Sequence, residues 1–297
     1  MKKILCLSGG GVRGVAQVEV LKMLEISYGK PLHEVYDLVI GSSVGAINAS
    51  AIASGNISMT DLLEKYPLMI EKIFKKRGLF KKPKYDRNNF RKEWSNISED
   101  ITFGEVKTKL MMTTVDLVSD TNIFYKSWRD DNKNIGLVDL IERSFAAPLY
   151  FGQINDHVNQ LVYSDGGIGN ANFPLNEAKL QAEMFGWYSD GEELEIHAVG
   201  TLYDGYTPSF SKVSKGRWLT QVIDYMKPSS GGLARAQSRL DQLRMMEYIC
   251  NRVPNIKFKY WDAPSDSKQL KLDGVKYIDY YKQLGKQMAI QPIISYN

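Results

Sequence analysis

Three short clusters in the chain carry residue types suited to covalent chemistry. Gly41-Ser42-Ser43-Val44-Gly45 is a GxSxG sequence. A serine on a sharp strand-to-helix turn exposes its Oγ, and the chain can make that bend only where the residues two positions away lack side chains, a demand that Gly41 and Gly45 meet. Upstream, Ser8-Gly9-Gly10-Gly11-Val12-Arg13-Gly14 follows an apolar run and precedes a helical pattern. Its backbone N–H groups would gather at a helix N-terminus, where they suit a developing oxyanion. The third cluster, Asp165-Gly166-Gly167, places a carboxylate where an apolar strand gives way to paired glycines.

The glycine loop has a rival reading, because Gly9, Gly11 and Gly14 also satisfy the G-x-G-x-x-G dinucleotide fingerprint. A ribose-binding Asp or Glu belongs at the end of the second strand, but that strand runs into Gly41 and Ser42. No Lys-Ser or Lys-Thr follows the glycines, as a phosphate-binding P-loop requires. A serine nucleophile also needs a base. His33 lies on a helix-to-strand connection and His157 in the polar loop Asn155-Asp156-His157. His197 follows Ser43 in chain order, yet it falls inside an alternating strand, whereas hydrolase-fold triads carry histidine on a loop. Asp165 can serve if desolvation raises its pKa from about 3.9, or if the serine hydroxyl is held in a short hydrogen bond. An ordinary Asp-Gly turn is the alternative for it.

Positioning these groups falls to a repeated pattern. Strand 4–7, a glycine turn and a helix are followed by strand 37–40, a second glycine turn and the small-residue helix through Ala46, Ala49, Ala51 and Ala53. That order predicts a mostly parallel sheet with crossover helices. Further strands are expected at 110–115, 122–125, 160–164 and 194–201, with helices at 137–147 and 175–184. From Trp218 to Arg252 the pattern is helical, broken at Lys227-Pro228-Ser229-Ser230-Gly231-Gly232, and 274–288 offers a last amphipathic helix. The expectation is one domain over 1–297, with a core of about 1–205 and a helical C-terminal extension over about 206–297.

Composition narrows the class. With 43% hydrophobic and 24% charged residues, the 297-residue chain is globular and not disordered. Two cysteines, Cys6 and Cys250, are too few for a disulfide framework or a zinc cluster, which favours a reducing compartment. The first apolar run ends after four residues, short of a signal peptide, and the uncharged stretch 38–60 is interrupted by Ser, Gly and Asn residues, so no membrane span is expected. The segment that begins at Lys72 and ends at Lys92 holds ten basic residues and one acid, Asp86, interleaved with Phe74, Leu79, Phe80, Tyr85 and Phe90. Such a segment suits an anionic membrane surface or a solvated face; no nucleic-acid-binding signature accompanies it. Asp130, Asn132 and Asn134 have the look of a calcium loop, but Ile135 stands where glycine is needed and Glu142 comes one position late, so calcium independence is expected.

In that order, the three clusters resemble the defining blocks of the patatin-like phospholipase family. Thr114-Val115-Asp116-Leu117 with Phe124, the run Ser144-Phe145-Ala146-Ala147-Pro148-Leu149-Tyr150-Phe151, and Asn172-Phe173-Pro174 are similar to further family segments, and Leu284-Gly285-Lys286 resembles the closing helix of plant-type members. The resemblance implies a three-layer α/β fold and a Ser-Asp dyad, Ser43 as nucleophile and Asp165 as base. N–H groups of Gly10 and Gly11, with Gly9, would hold the oxyanion, and Arg13 would steady that loop or meet substrate phosphate. No metal and no cofactor is implied. The substrate would be a phospholipid or another acyl lipid, cleaved by a cytoplasmic enzyme peripheral to membranes and restrained by a regulatory ligand or homo-oligomer. One departure is Ser8, where many members carry aspartate. The alternatives are a Ser-His-Asp esterase of another α/β fold using His197, and a non-catalytic nucleotide- or lipid-binding module.

Overall fold

Two apolar strands open the sheet. β1 (Lys2–Leu7) and β2 (Leu38–Ser42) run parallel with Leu7 beside Gly41, and both are buried on two faces because helices cover each side. The computed structural model describes residues 1–78, 82–168, 170–204, 232–266 and 268–296. Within them the chain adds β3 (Lys109–Asp116), β4 (Thr121–Lys126), β5 (Ile154–Asp156), β6 (Leu161–Asp165), β7 (Leu194–Val199), β8 (Tyr203–Asp204), β9 (Ile256–Trp261), β10 (Pro264–Ser265) and β11 (Ile294–Tyr296). Among the described residues the main sheet has the order β11-β9-β7-β1-β2-β3-β6-β5, with β4 on the remaining edge of β3, while β8 and β10 pair separately. The central pairs β9-β7, β7-β1, β1-β2 and β2-β3 are parallel; the outer ones are antiparallel.

Alternation along the strands sorts two cores. Leu5, Leu7 and Val39 face a layer that contains α1 (Gly14–Tyr28), α2 (Leu32–Val35), α3 (Val44–Ser54), α4 (Met59–Ile73), α5 (Arg87–Trp94) and α6 (Leu137–Ser144). Ile4, Cys6, Leu38 and Ile40 face α7 (Leu175–Met184) and α8 (Gly232–Arg252). The last helix, α9 (Ile278–Ile290), packs on α1, and its Gly285 comes so close that a Cβ there would stand 2.7 Å from the Ala16 Cα. That contact accounts for the glycine in Leu284-Gly285-Lys286. Gly29, at φ 65°, ends α1 by donating its N–H to the Glu25 and Ile26 carbonyls.

The strands and helices expected up to residue 200 are present. The C-terminal part holds helices, and it also returns to the sheet: β9 pairs parallel with β7, and β11 pairs antiparallel with β9. Ile256, Phe258 and Tyr260 alternate with Lys257 and Lys259, a strand pattern that an expectation of helix passes over. Of the helical stretch expected over 218–252, residues 232–252 form α8, while 218–231, with nearly all of the expected break at 227–232, lie outside the described residues. No helix among the described residues is long and apolar enough to cross a membrane.

Candidate active site

The sheet brings the second and third clusters together by a change of partner. β2 runs beside β3 as far as the pair Ser42–Thr113. At Ser43 the chain turns off the sheet into α3, and the next residue of β3, Thr114, pairs on that same edge with Asp165 of β6. The serine and the carboxylate therefore meet where one strand leaves and the other ends. Ser43 Oγ donates to Asp165 Oδ2 at 2.7 Å, and Asp165 Oδ1 accepts the Gly167 N–H at 2.7 Å. Both residues are 8% exposed.

Ser43 sits at φ 53°, ψ −124°, a region sparsely populated for residues with a side chain, and is held there by its surroundings. A Cβ on Gly41 would lie 2.3 Å from the Gly45 carbonyl oxygen, and one on Gly45 would lie 2.3 Å from the Leu7 carbonyl oxygen. Both elbow glycines are thus required by close approach. Ser144, fully buried at the end of α6, adds the other clamp. Its Oγ accepts the Ser43 N–H at 3.0 Å and donates to the Thr113 carbonyl at 2.7 Å, while its own carbonyl accepts the Gly166 N–H at 3.2 Å. Two residues on, the Ala146 carbonyl accepts the Asp165 N–H at 3.2 Å. One short segment therefore fixes both partners of the Ser43–Asp165 bond. Sequence reasoning had Ser144 only as part of a similar block; its role depends on a contact 101 residues away.

The glycine loop packs directly against this pair. Gly9 differs from its expected role, because its N–H donates to the Asn172 carbonyl at 3.0 Å and is spent. Its missing side chain matters instead: a Cβ would stand 2.9 Å from the Ser43 Cβ. Among the described residues, the N–H groups of Gly10 and Gly11 have no acceptor. Gly11, at φ 61°, also lies under the Leu272 carbonyl, which accepts the Val12 N–H at 2.9 Å. Arg13 is 5% exposed and holds the loop from behind, Nε on the Gly10 carbonyl at 2.9 Å and Nη1 on Leu202 at 3.3 Å. Thr201 Oγ1 donates to the Gly9 carbonyl at 2.7 Å, and Gln17 Nε2 to those of Ser8 and Val199 at 2.9 Å. Of the two roles expected for Arg13, its geometry matches loop support.

Two cavities flank Ser43. One, of about 210 Å³, is bordered by Gly9, Gly10, Asp165, Asn172, Leu149 and Ile168. The other is an apolar slot of about 60 Å³ under α4, walled by Ile47, Met69, Ile73, Phe74, Phe145 and Phe151 and reaching Gly11 and Ser43. The N-terminus of the eleven-residue α3 begins at the serine, so its dipole favours negative charge there.

His197 is not brought to this place. Val39 is level with Leu5 and Leu5 with His197, so the ring lies four residues back from Ser43 and two strands across, roughly 13 Å by 10 Å. It is 1% exposed and bonded through Nδ1 to the Tyr36 hydroxyl at 2.7 Å. Asp116 serves the β3–β4 turn: the Ser119 hydroxyl and the N–H groups of Val162, Val118 and Ser119 bond its carboxylate and hold its pKa at about 2. In the calcium-like segment, Asp130 pairs with Lys133 at 2.7 Å and Asn132 Oδ1 accepts the Lys126 N–H at 2.9 Å. No group of metal-ligating side chains occurs among the described residues.

The chain is 29% identical over 219 residues to a cGAMP-activated phospholipase of Pseudomonas aeruginosa, an alignment covering 69% of this chain and 63% of that protein. It is 24% identical to the calcium-independent phospholipase A2-gamma of Mus musculus, covering 97% of this chain and 40% of that one. The chain thus spans less than two thirds of either relative. VipD from Legionella pneumophila, a solved structure, aligns over 95% of this chain and 66% of its own at 13% identity and a TM-score of 0.48. The profile of the patatin-like phospholipases matches residues 5–179, more than half of the sequence, and the chain belongs to that family.

Proposed function

We propose that this chain hydrolyses acyl esters of lipids, of the phospholipase A or lysophospholipase type, with Ser43 as nucleophile and Asp165 as its base. The observation that carries the reading is the 2.7 Å bond from Ser43 Oγ to Asp165 Oδ2 beside two N–H groups without acceptors. As Oγ attacks the ester carbonyl, its proton passes to Asp165 Oδ2, and the carbonyl oxygen takes its negative charge toward the N–H groups of Gly10 and Gly11. Collapse breaks the ester C–O bond, and Asp165 returns the proton to the departing alcohol oxygen. A water, deprotonated by Asp165, then attacks the acyl-Ser43 carbonyl; the fatty acid leaves and Ser43 recovers its proton. The apolar slot is the natural seat for the acyl chain. At about 60 Å³ it holds a few waters, so Met69, Phe74 and their neighbours must part to admit one.

We read residues 1–297 as one patatin-like domain, cytoplasmic and peripheral to membranes, with exposed cations of the basic segment meeting the lipid surface; Tyr85 and Phe90, expected among its apolar contacts, are 2% and 0% exposed and belong to the core instead. Support for a regulatory ligand comes from relatives named as cGAMP-activated and cUMP-AMP-activated phospholipases, which makes a cyclic dinucleotide the first activator to try. The test is fatty-acid release from mixed phospholipid vesicles with chelator present, with and without cyclic dinucleotide, for the native chain, Ser43→Ala, Asp165→Asn and His197→Ala. Loss in the first two variants with activity kept in the third is expected. Full activity of Asp165→Asn would overturn the dyad.

A further inference from the structure

We propose that an anionic phospholipid bilayer docks on the cavity mouth through two paired cationic arms, residues 75–78 and 82–85, and an apolar rim. This rests on the lipid-hydrolase reading and deepens it by naming the partner surface and the side chains that meet it. Lys76 and Tyr85 form an antiparallel bridge and the Arg77 N–H donates to the Lys84 carbonyl at 3.1 Å, so residues 75–78 and 82–85 run side by side. The second arm is fastened to the mouth. Tyr85 N–H donates to the Tyr150 carbonyl at 2.8 Å, Lys84 N–H to Leu149 at 3.4 Å, and Arg87 Nη1 to the Gly152 and Gln153 carbonyls at 3.3 and 3.2 Å. Leu149 and Ile168 border the about 210 Å³ cavity that contains Ser43, yet are 66% and 47% exposed.

Charge is distributed unevenly along the basic segment. Away from the mouth, Lys72 pairs with Glu93 at 3.1 Å, and Arg91 pairs with Asp139 and Glu142 at 2.6 and 2.7 Å. On the two arms, Lys84 is matched by Asp273, but Lys75, Lys76, Arg77 and Lys82 are exposed and have no ion pair among the described residues. Four uncompensated cations beside two exposed aliphatic side chains match an anionic headgroup layer over an acyl layer. A nucleic acid would use the cations and leave Leu149 and Ile168 without purpose. The ester must also reach Ser43 through this opening, so the face that binds the bilayer and the face that admits substrate coincide.

Co-sedimentation of Ser43→Ala with phosphatidylcholine vesicles, with and without phosphatidylglycerol, reads docking apart from catalysis. Stronger partition onto the phosphatidylglycerol vesicles is expected. Removing Lys76 and Lys82 together, as Lys76→Ala with Lys82→Ala, should lower it about 25-fold, and raised salt should weaken it as well. Leu149→Ser should lower it about tenfold. Equal partition onto both vesicles, or no effect of the paired alanines, overturns the proposal; so does a double alanine variant that loses only its binding to a duplex DNA probe. Turnover of a soluble short-chain ester by the native chain reads the chemistry separately. Ester turnover without vesicle binding removes the docking face and leaves the hydrolase; binding without Ser43-dependent turnover removes the hydrolase.

Discussion

At the strand ends, Ser43 and Asp165 share one hydrogen bond beside two cavities; farther back on the same sheet, His197, Glu195, Lys3, Lys259 and Tyr36 form a much richer cluster of titratable groups. Glu195 is bonded to Lys3, lies 2.8 Å from Lys259 Nζ, and has His197 Nε2 at 2.9 Å. Burial alone would raise its pKa, but its bonds to His197, Lys259 and Lys3 hold it well below the usual carboxylate range. Burial lowers the pKa of His197 against the pull of Glu195. That cluster lines neither cavity flanking Ser43, and its neighbours answer its charges. The serine site has the opposite character: few charges, a strained backbone, N–H groups without acceptors and a route to solvent. Perturbed ionisable groups mark a clamp across β1, β7 and β9, whereas donors and space are left open at the serine.

If this contrast is right, Ser43→Ala and Asp165→Asn lower kcat on a soluble ester by about 1,000-fold or more, while His197→Gln changes it less than about threefold. Equal losses in all three would erase the distinction. Gly45→Ala drives a Cβ into the Leu7 and Ser8 carbonyls, backbone atoms that cannot step aside, and should cost about 4 kcal/mol, visible as a collapse of Tm or of folded yield. Glu195→Gln leaves two lysines short of a partner, so about 2 kcal/mol of stability should go in urea melts with ester turnover per folded molecule unchanged. Ser144→Ala sharpens the comparison from the other side. With the Ser43 N–H unheld, kcat should fall about tenfold at unchanged KM, and Ser144→Thr should recover part of it. The smallest effect is in pH. His197 binds its proton less well folded than unfolded, so its stabilising contribution is complete above pH about 6.5 and is lost as pH falls. Facing it are Glu195, Lys259, Lys3 and Tyr36, all retained in His197→Gln; a decline of Tm below neutrality should flatten in that variant.

Much of the site was legible because its constraints are local. The elbow needs no knowledge of the fold: glycines on either side of Ser43 state that backbone will pass within van der Waals contact, as it does at Gly45 and Leu7. The order of strands and helices to residue 200 follows from alternation and glycine turns within windows of a dozen residues. The same local pattern places His197 inside a strand, away from the loop position that a triad histidine takes. By spacing alone Asp165 remained an ordinary turn residue; the resemblance to a family set it apart.

The sequence by itself therefore determined the parallel α/β core, the strained serine turn and the glycine loop, because steric and periodic demands act between near neighbours in the chain. Only the tertiary structure decided which groups meet. The register of β6 on β3 places Asp165 opposite Thr114 and thus against a serine 122 residues earlier. The Asn172 carbonyl takes the Gly9 N–H and leaves Gly10 and Gly11 as the open donors, and Ser144 arrives from another helix to hold the nucleophile. Strands β9 and β11 join the sheet because the edge of β7 offers unpaired N–H and C=O groups that a buried backbone must satisfy. Such partnerships are settled by hydrogen bonds between distant segments, and spacing along a chain does not encode which distant groups a fold will bring together.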